Sequence, residues 1–406
     1  MRRRSFLIII LFLCSYSIAS QTTYTVTTDY TKYIAIADKE YEWGSFQFPV
    51  ISQNKEGWIA ISWQIGKDAV EAYNKNTGGG VYSSDNGETW DSIPPSQILS
   101  PFGVVSTYSG EYLRIFTPTS FDVNKYKLKS IGEKRNTYSS EETYKFYKYD
   151  SLPNELKGVY FYRIRKGESR GEITRAEIES NPNMLRYSVG DYFPVVWWGN
   201  IINYGNELIA ATYPYLQVNP KNKKIYPYGI GIYQSKDNGY NWKLKGVISY
   251  NLQKKEQSDK YLFGFSEPFI IQNKYGELVC VMRTTDGSGD KPIYLSISKN
   301  SGTSWSIPRA ITNSGVFPRL LKLRNGNLIL STGRPGIQVY ISNDGGYQWD
   351  GPIEILPDQS RTCGYTGLLE AGFDSFFIVY SDFDHINKDG DKRKAIVLKK
   401  ITVKNL

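Results

Sequence analysis

From Tyr24 to Ala37 apolar and polar residues alternate, and the stretch is rich in Thr, Tyr and Ile. That period of two predicts a β-strand. Further along, the alternation settles into a repeated format: a short strand-like run, a Gly-bearing turn and a longer strand-like run. The first unit is Phe48-Pro49-Val50-Ile51, the turn Asn54 to Gly57, and Trp58 to Trp63. Five more begin at Pro101, Phe193, Glu267, Phe317 and Gly364. No stretch has the apolar period of a helix.

A second repeat lies over the first. Ser83-Ser84-Asp85-Asn86-Gly87-Glu88-Thr89-Trp90 returns as Ser235 to Trp242, as Ser298 to Trp305 with Asn300 for Asp, and as Ser342, Asp344, Gly346 and Trp349. The chemistry is that of a tight hairpin. Asp or Asn hydrogen-bonds backbone two residues on, Gly supplies a positive φ, and Trp starts the next strand and packs back on the turn. Six units, four of them followed by such a box, predict an all-β chain folded as a six-bladed β-propeller. The strand from Tyr24 precedes the first unit and is placed to complete the last. A long segment rich in Lys, Glu and Tyr, about 119–191, interrupts the second unit. Within it Val159 to Ile164 reads as strand, and the rest as a surface excursion or a mobile loop.

Composition narrows the picture. The chain has 406 residues, a net charge of +9 and a single histidine, His385. Residues 1–19 read as a secretory signal: Arg2 to Arg4, the apolar run Phe6 to Leu13, and the small residues Ser17 and Ala19. Residues 20–406 then form one domain that is secreted or periplasmic. Cys14 follows Leu13, the wrong neighbour for lipid attachment. Only Cys280 and Cys363 remain after cleavage, and both sit in strand-like runs, as buried thiols do. No zinc-ligand spacing occurs, so neither metal nor cofactor is expected, and there is no nucleic-acid motif or membrane span. The positive charge suits an acidic glycan, or simply a Lys-rich surface. The chain carries no signal that fixes an oligomeric state.

Residues at the starts of first strands and the ends of second strands converge at one end of a propeller's channel. The starts offer Gln47, Glu267, Arg319 and Tyr365, and the ends offer Arg283, Arg334 and Asp382. Arginine suits such a place because its planar fork binds a carboxylate through two hydrogen bonds.

The boxes, Glu267-Pro268 followed by Met282-Arg283, Arg334 before the fourth box, and Gly364-Tyr365-Thr366 before Val379-Tyr380-Ser381 resemble the sialidases (neuraminidases) over nearly all of the mature chain. The resemblance implies a Tyr nucleophile paired with Glu, an Asp acid/base and three arginines on the sugar carboxylate. Position by position it implies Tyr365 as nucleophile, Glu267 as its partner, and Arg283 and Arg334 as the second and third arginines. Asp68 best matches the acid/base, with Glu71 as rival. One position departs. Gln47 stands at or beside the place of the first arginine, which leaves the clamp short of one charge-assisted pair, about 1.5–3 kcal/mol. Arg319 or Arg361 are possible substitutes.

Three functions fit. The first is a sialidase-like exo-glycoside hydrolase acting on a terminal carboxylated sugar. The second is a polysaccharide lyase or uronate-directed hydrolase using Tyr or His385 as base. The third is a carbohydrate-binding propeller without catalysis, in which Trp197 and Trp198 would stack on sugar rings.

Overall fold

The computed structural model describes residues 24–92, 100–135, 143–250, 264–285 and 289–405. The signal read at 1–19, with Cys14, lies outside them. The described residues are nearly all β, with no α-helix and only short 3-10 turns.

The strands follow the repeat units. Gln47–Gln53, Ile59–Ile65 and Thr77–Ser83 form a three-stranded sheet. Phe265–Gln272, Leu278–Thr284, Tyr294–Ser298 and Arg309–Ala310 form a four-stranded one, and so do Val316–Lys322, Leu328–Gly333, Ile337–Ser342 and Asp350–Leu356. In the last sheet Thr366–Glu370, Ser375–Ile386 and Lys392–Asn405 are completed by Tyr24–Ile36, paired from Tyr24↔Asn405 to Ile36↔Ala395. The N-terminal strand thus ties the two ends of the described chain together.

The middle differs from expectation. Val159–Ile164 is a strand, but it is an integral one, lying between Tyr112–Phe116 and Glu172–Ile178. Other parts of 119–191 are also ordered: Thr143–Lys148 pairs with Gly132–Arg135 and with Met184–Val189. A short parallel contact of Glu177 and Ile178 with Asn241 and Trp242 joins this region to the sheet of Trp198–Tyr204, Glu207–Gln217, Gly229–Ser235 and Asn241–Ile248. Thr143–Lys148 was obscured because two of its buried side chains, Tyr144 and Tyr147, are Tyr set among Lys, and Glu172–Ile178 because it buries only Ala176 and Ile178 among charged residues.

All four boxes fold alike. In the first, Ser83 Oγ accepts from Gly87 N–H at 2.8 Å, Asp85 Oδ1 accepts from Thr89 N–H at 2.8 Å, and Trp90 Nε1 donates to Gly87 O at 3.1 Å. The carboxylate therefore reaches backbone four residues on, not two. The leading serine is part of the turn, and Asn300 does the work of Asp in the third copy through its Oδ1.

Neighbouring first strands lie against one another: Trp198–Tyr204 on Phe265–Gln272, that strand on Val316–Lys322, then Thr366–Glu370, then Gln47–Gln53. Three of them share a device. Each has a residue before proline with positive φ: Phe48 (54°), Glu267 (49°) and Phe317 (46°). The ladder slips there, between Gln47 and Val50, Ser266 and Phe269, and Val316 and Arg319. Proline has no N–H for the ladder, so a bulge on the free edge of the sheet accommodates it. The bulge takes the preceding side chain out of the strand's alternation, and those three side chains build the site.

Candidate active site

The three bulge residues converge on Tyr365. Phe48 tilts against its ring at 5.0 Å, Phe317 stacks on it at 3.8 Å, and Glu267 Oε1 accepts its hydroxyl proton in a short hydrogen bond. Glu267 Oε2 is held by Phe317 N–H at 2.9 Å and lies 3.5 Å from Arg283 Nη1. One carboxylate therefore has a fixed orientation, with one oxygen turned to the phenol. Burial, then the Glu267 charge, pushes the Tyr365 hydroxyl well above its ordinary range, opposed by Arg283. The phenol is neutral at neutral pH, and its proton lies in the hydrogen bond to Glu267 Oε1.

The arginines stand at different depths. Arg283 is 2% exposed and also donates through Nε to Thr284 O at 3.0 Å. Arg334 is half-buried, its Nε donating to Cys363 O at 3.0 Å. Gly364 makes room for it: a Cβ there would sit 2.9 Å from Arg334 Cγ, and the φ of +78° is one that glycine adopts freely. Arg334 lines a cleft of about 770 Å³ together with Trp43, Arg361, Phe383 and Lys394. Arg319 stands 3.4 Å over the Phe317 ring. Tyr365 lies parallel at nearly the same spacing, and one ring face has no room for both, so Phe317 separates them. Burial pushes the Arg319 guanidinium down to about 10, with Glu267 and Tyr365 acting upward.

Gln47 is fully buried, and neither of its amide atoms has a hydrogen-bond partner. Arg361 is engaged with Asp384 at 2.9 Å. Of the two acid/base candidates, Glu71 is paired with Lys67 at 2.6 Å, which holds its carboxyl below the usual range. Asp68 accepts from Trp43 Nε1 at 3.0 Å. Asp68 is exposed as a residue, but the atoms crowded around its carboxyl raise it by desolvation against that bond; the Glu267 charge raises it further, and Arg334 lowers it. Asp68 thus shares one electrostatic neighbourhood with Glu267 and Arg334.

Other candidates lie elsewhere. His385 packs against Tyr33 of the outermost strand at 4.3 Å. Trp197 is 4% exposed and buried against Trp242 and Tyr233, so it is core rather than a sugar platform. Cys280 and Cys363 are free and buried. Sequence reasoning missed Trp43, Phe48 and Phe317. Aligning each X-Pro pair with Glu267-Pro268 finds the two phenylalanines, whereas no periodicity marks Trp43.

The fold and site define a class: an all-β protein in which adjoining sheets bring a phenol–carboxylate couple, a second acid and arginines to one place. No protein-family model matches the chain, and no curated protein does. In fold the chain is similar to a protein of unknown function from Dyadobacter fermentans, with a TM-score of 0.59 at 13% identity over 93% of this chain and 99% of that one. It is similar to a variant of the NanB sialidase from Streptococcus pneumoniae, with a TM-score of 0.50 at 15% identity over 90% and 70%. An α-L-arabinanase from Penicillium chrysogenum aligns at a TM-score of 0.48 and 16% identity over 92% and 98%. At these identities the likeness is one of fold alone.

Proposed function

We propose that the protein is a six-bladed propeller and a secreted, sialidase-like glycoside hydrolase that removes a terminal carboxylated sugar from a glycan. The observation that supports it most is the Tyr365–Glu267 hydrogen bond, with Arg283 on the same carboxylate. As Tyr365 Oη attacks the anomeric carbon, its proton passes to Glu267 Oε1. Asp68 protonates the departing glycosidic oxygen, then takes a proton from the water that cleaves the glycosyl–tyrosine bond, while Glu267 returns its proton to the departing Tyr365 Oη. Two displacements at one carbon retain its configuration. A neutral phenol also meets less repulsion from the substrate's carboxylate than an anionic nucleophile would. Arg283 and Arg334 receive that carboxylate, and Gln47, buried and uncharged, leaves the clamp without a third cation.

Sugar release from a panel of sialosides, followed by proton NMR of the newly formed anomer, tests this. The reading expects retention, and release reduced at least about a hundredfold in Tyr365→Phe. Unchanged release in that variant contradicts it. Gln47 favours a second reading, a uronate-directed hydrolase or lyase, because the clamp has one charge fewer. A rise in ultraviolet absorbance on an acidic polysaccharide marks the lyase.

A further inference from the structure

We infer that Trp43 is a positioning residue for Asp68, fixing which carboxyl oxygen carries the proton given to the leaving group. This rests on the reading of Asp68 as the acid. The indole Nε1–H donates to Asp68 Oδ2 at 3.0 Å. An oxygen that accepts a hydrogen bond is the poorer place for a proton, so the proton resides on Oδ1. When Oδ1 gives it up, the new carboxylate already has a donor in place, and no reorganisation is needed at that moment.

Backbone packing holds the pair together independently of the side chains. Gly44 has φ +104°, and a Cβ on it would lie 2.2 Å from Gly66 O and 2.5 Å from Asp68 N. The segment carrying Trp43 is thus pressed directly on the loop carrying Asp68. Gly66 N–H donates to Ser45 Oγ at 3.0 Å, and Phe46 N–H to Gln64 O at 2.9 Å, which pins both sides. Trp43 also touches the clamp: the Arg334 guanidinium is 5.5 Å from the indole centroid, and Phe383 meets it edge-on at 6.1 Å. One ring therefore links the acid to the arginine that receives the substrate. The charged groups around Asp68 are Glu267 and Arg334, with the Lys67–Glu71 pair on its own loop.

The test uses two substrates with the same acidic sugar, one bonded to a second sugar and one to p-nitrophenol. A sugar leaving group needs a proton, and nitrophenolate does not. In Trp43→Phe, turnover of the sugar-linked substrate falls about tenfold, that of the nitrophenyl substrate by less than about twofold. The Asp68 carboxyl, followed by carbon-13 NMR and assigned by its loss in Asp68→Asn, titrates at higher pH than in the wild type. Gly44→Ala, which lifts the segment while keeping the indole, gives the same selective loss if circular dichroism shows native sheet. Equal losses on both substrates, or an unmoved Asp68 titration, overturn the role of Trp43. A wild type that cleaves neither substrate overturns instead the hydrolase reading on which this role rests, and one that cleaves only the nitrophenyl substrate overturns the assignment of Asp68 as acid.

Discussion

The backbone N–H of Phe317 holds one oxygen of Glu267 at 2.9 Å, so the other oxygen is left for the Tyr365 hydroxyl. Both residues precede a proline at positive φ, on neighbouring first strands. Two bulges, not a loop, set the orientation of that carboxylate.

Glu267→Gln tests that orientation. A glutamine has one acceptor oxygen and cannot serve Phe317 N–H and Tyr365 Oη together. Turnover should fall by about 10²- to 10⁴-fold. Arg283, 2% exposed, also loses its carboxylate neighbour. Breaking a buried ion pair costs about 3–5 kcal/mol, so urea denaturation should show a drop of that order, and an unchanged midpoint contradicts the pairing.

Phe317→Leu keeps an apolar side chain and the backbone N–H but removes the flat ring. The stack on Tyr365 is a centroid pair at 3.8 Å and 5°. Its loss should cost about 0.5–1.5 kcal/mol beyond the change in buried area. Under the proposed mechanism turnover should fall more than KM rises, since the ring packs on the Tyr365 phenol proposed to attack.

Asp68 gives a pH signature. Its carboxyl is raised in the folded chain, so the native state holds the proton more tightly than the unfolded chain. The stability it contributes is full below the ordinary carboxylate range and declines as pH rises through the folded value. Asp68→Asn should remove that decline from a series of urea midpoints between about pH 3 and 7. A series identical to the wild type contradicts the placement of Asp68.

Asp85 should behave in the opposite sense. Thr89, through hydroxyl and N–H, and Ser83 hold its carboxyl down to about 2. Its contribution is present above the ordinary carboxylate range and lost as pH falls through the folded value. Asn300 makes the equivalent bonds to Ser304 in the third box. Asp85→Asn should therefore lose the acid sensitivity, its midpoint lying near the acid-side level of the wild type at every pH, whereas Asp85→Ala, which also loses the turn's hydrogen bonds, should fall below it.

What the sequence revealed and what it hid follow from range. Each box is eight contiguous residues closed by its own hydrogen bonds, so Ser83 to Trp90 could be read without knowing its neighbours. Glu267 and Tyr365, 98 positions apart, were found because each opens a repeat unit. Phe48 and Phe317 open units too, but a phenylalanine there looks like core, and only the bulge at the following proline turns it to the site. Val159–Ile164 was legible as a strand, but not its place between two others, since register is a long-range property. Trp43 and Asp68 meet 25 positions apart, at the open end of the hairpin formed by Gln47–Gln53 and Ile59–Ile65, through a hydrogen bond that leaves no periodic mark.

The central claim is that Tyr365 forms a covalent bond to the sugar. A difluorinated sialosyl fluoride, incubated with the protein and followed by intact mass and peptide mapping, measures it directly. The account predicts one glycosyl adduct on the peptide containing Tyr365, absent in Tyr365→Phe. An adduct on a carboxylate, or none on a wild type that turns over sialosides, would contradict it.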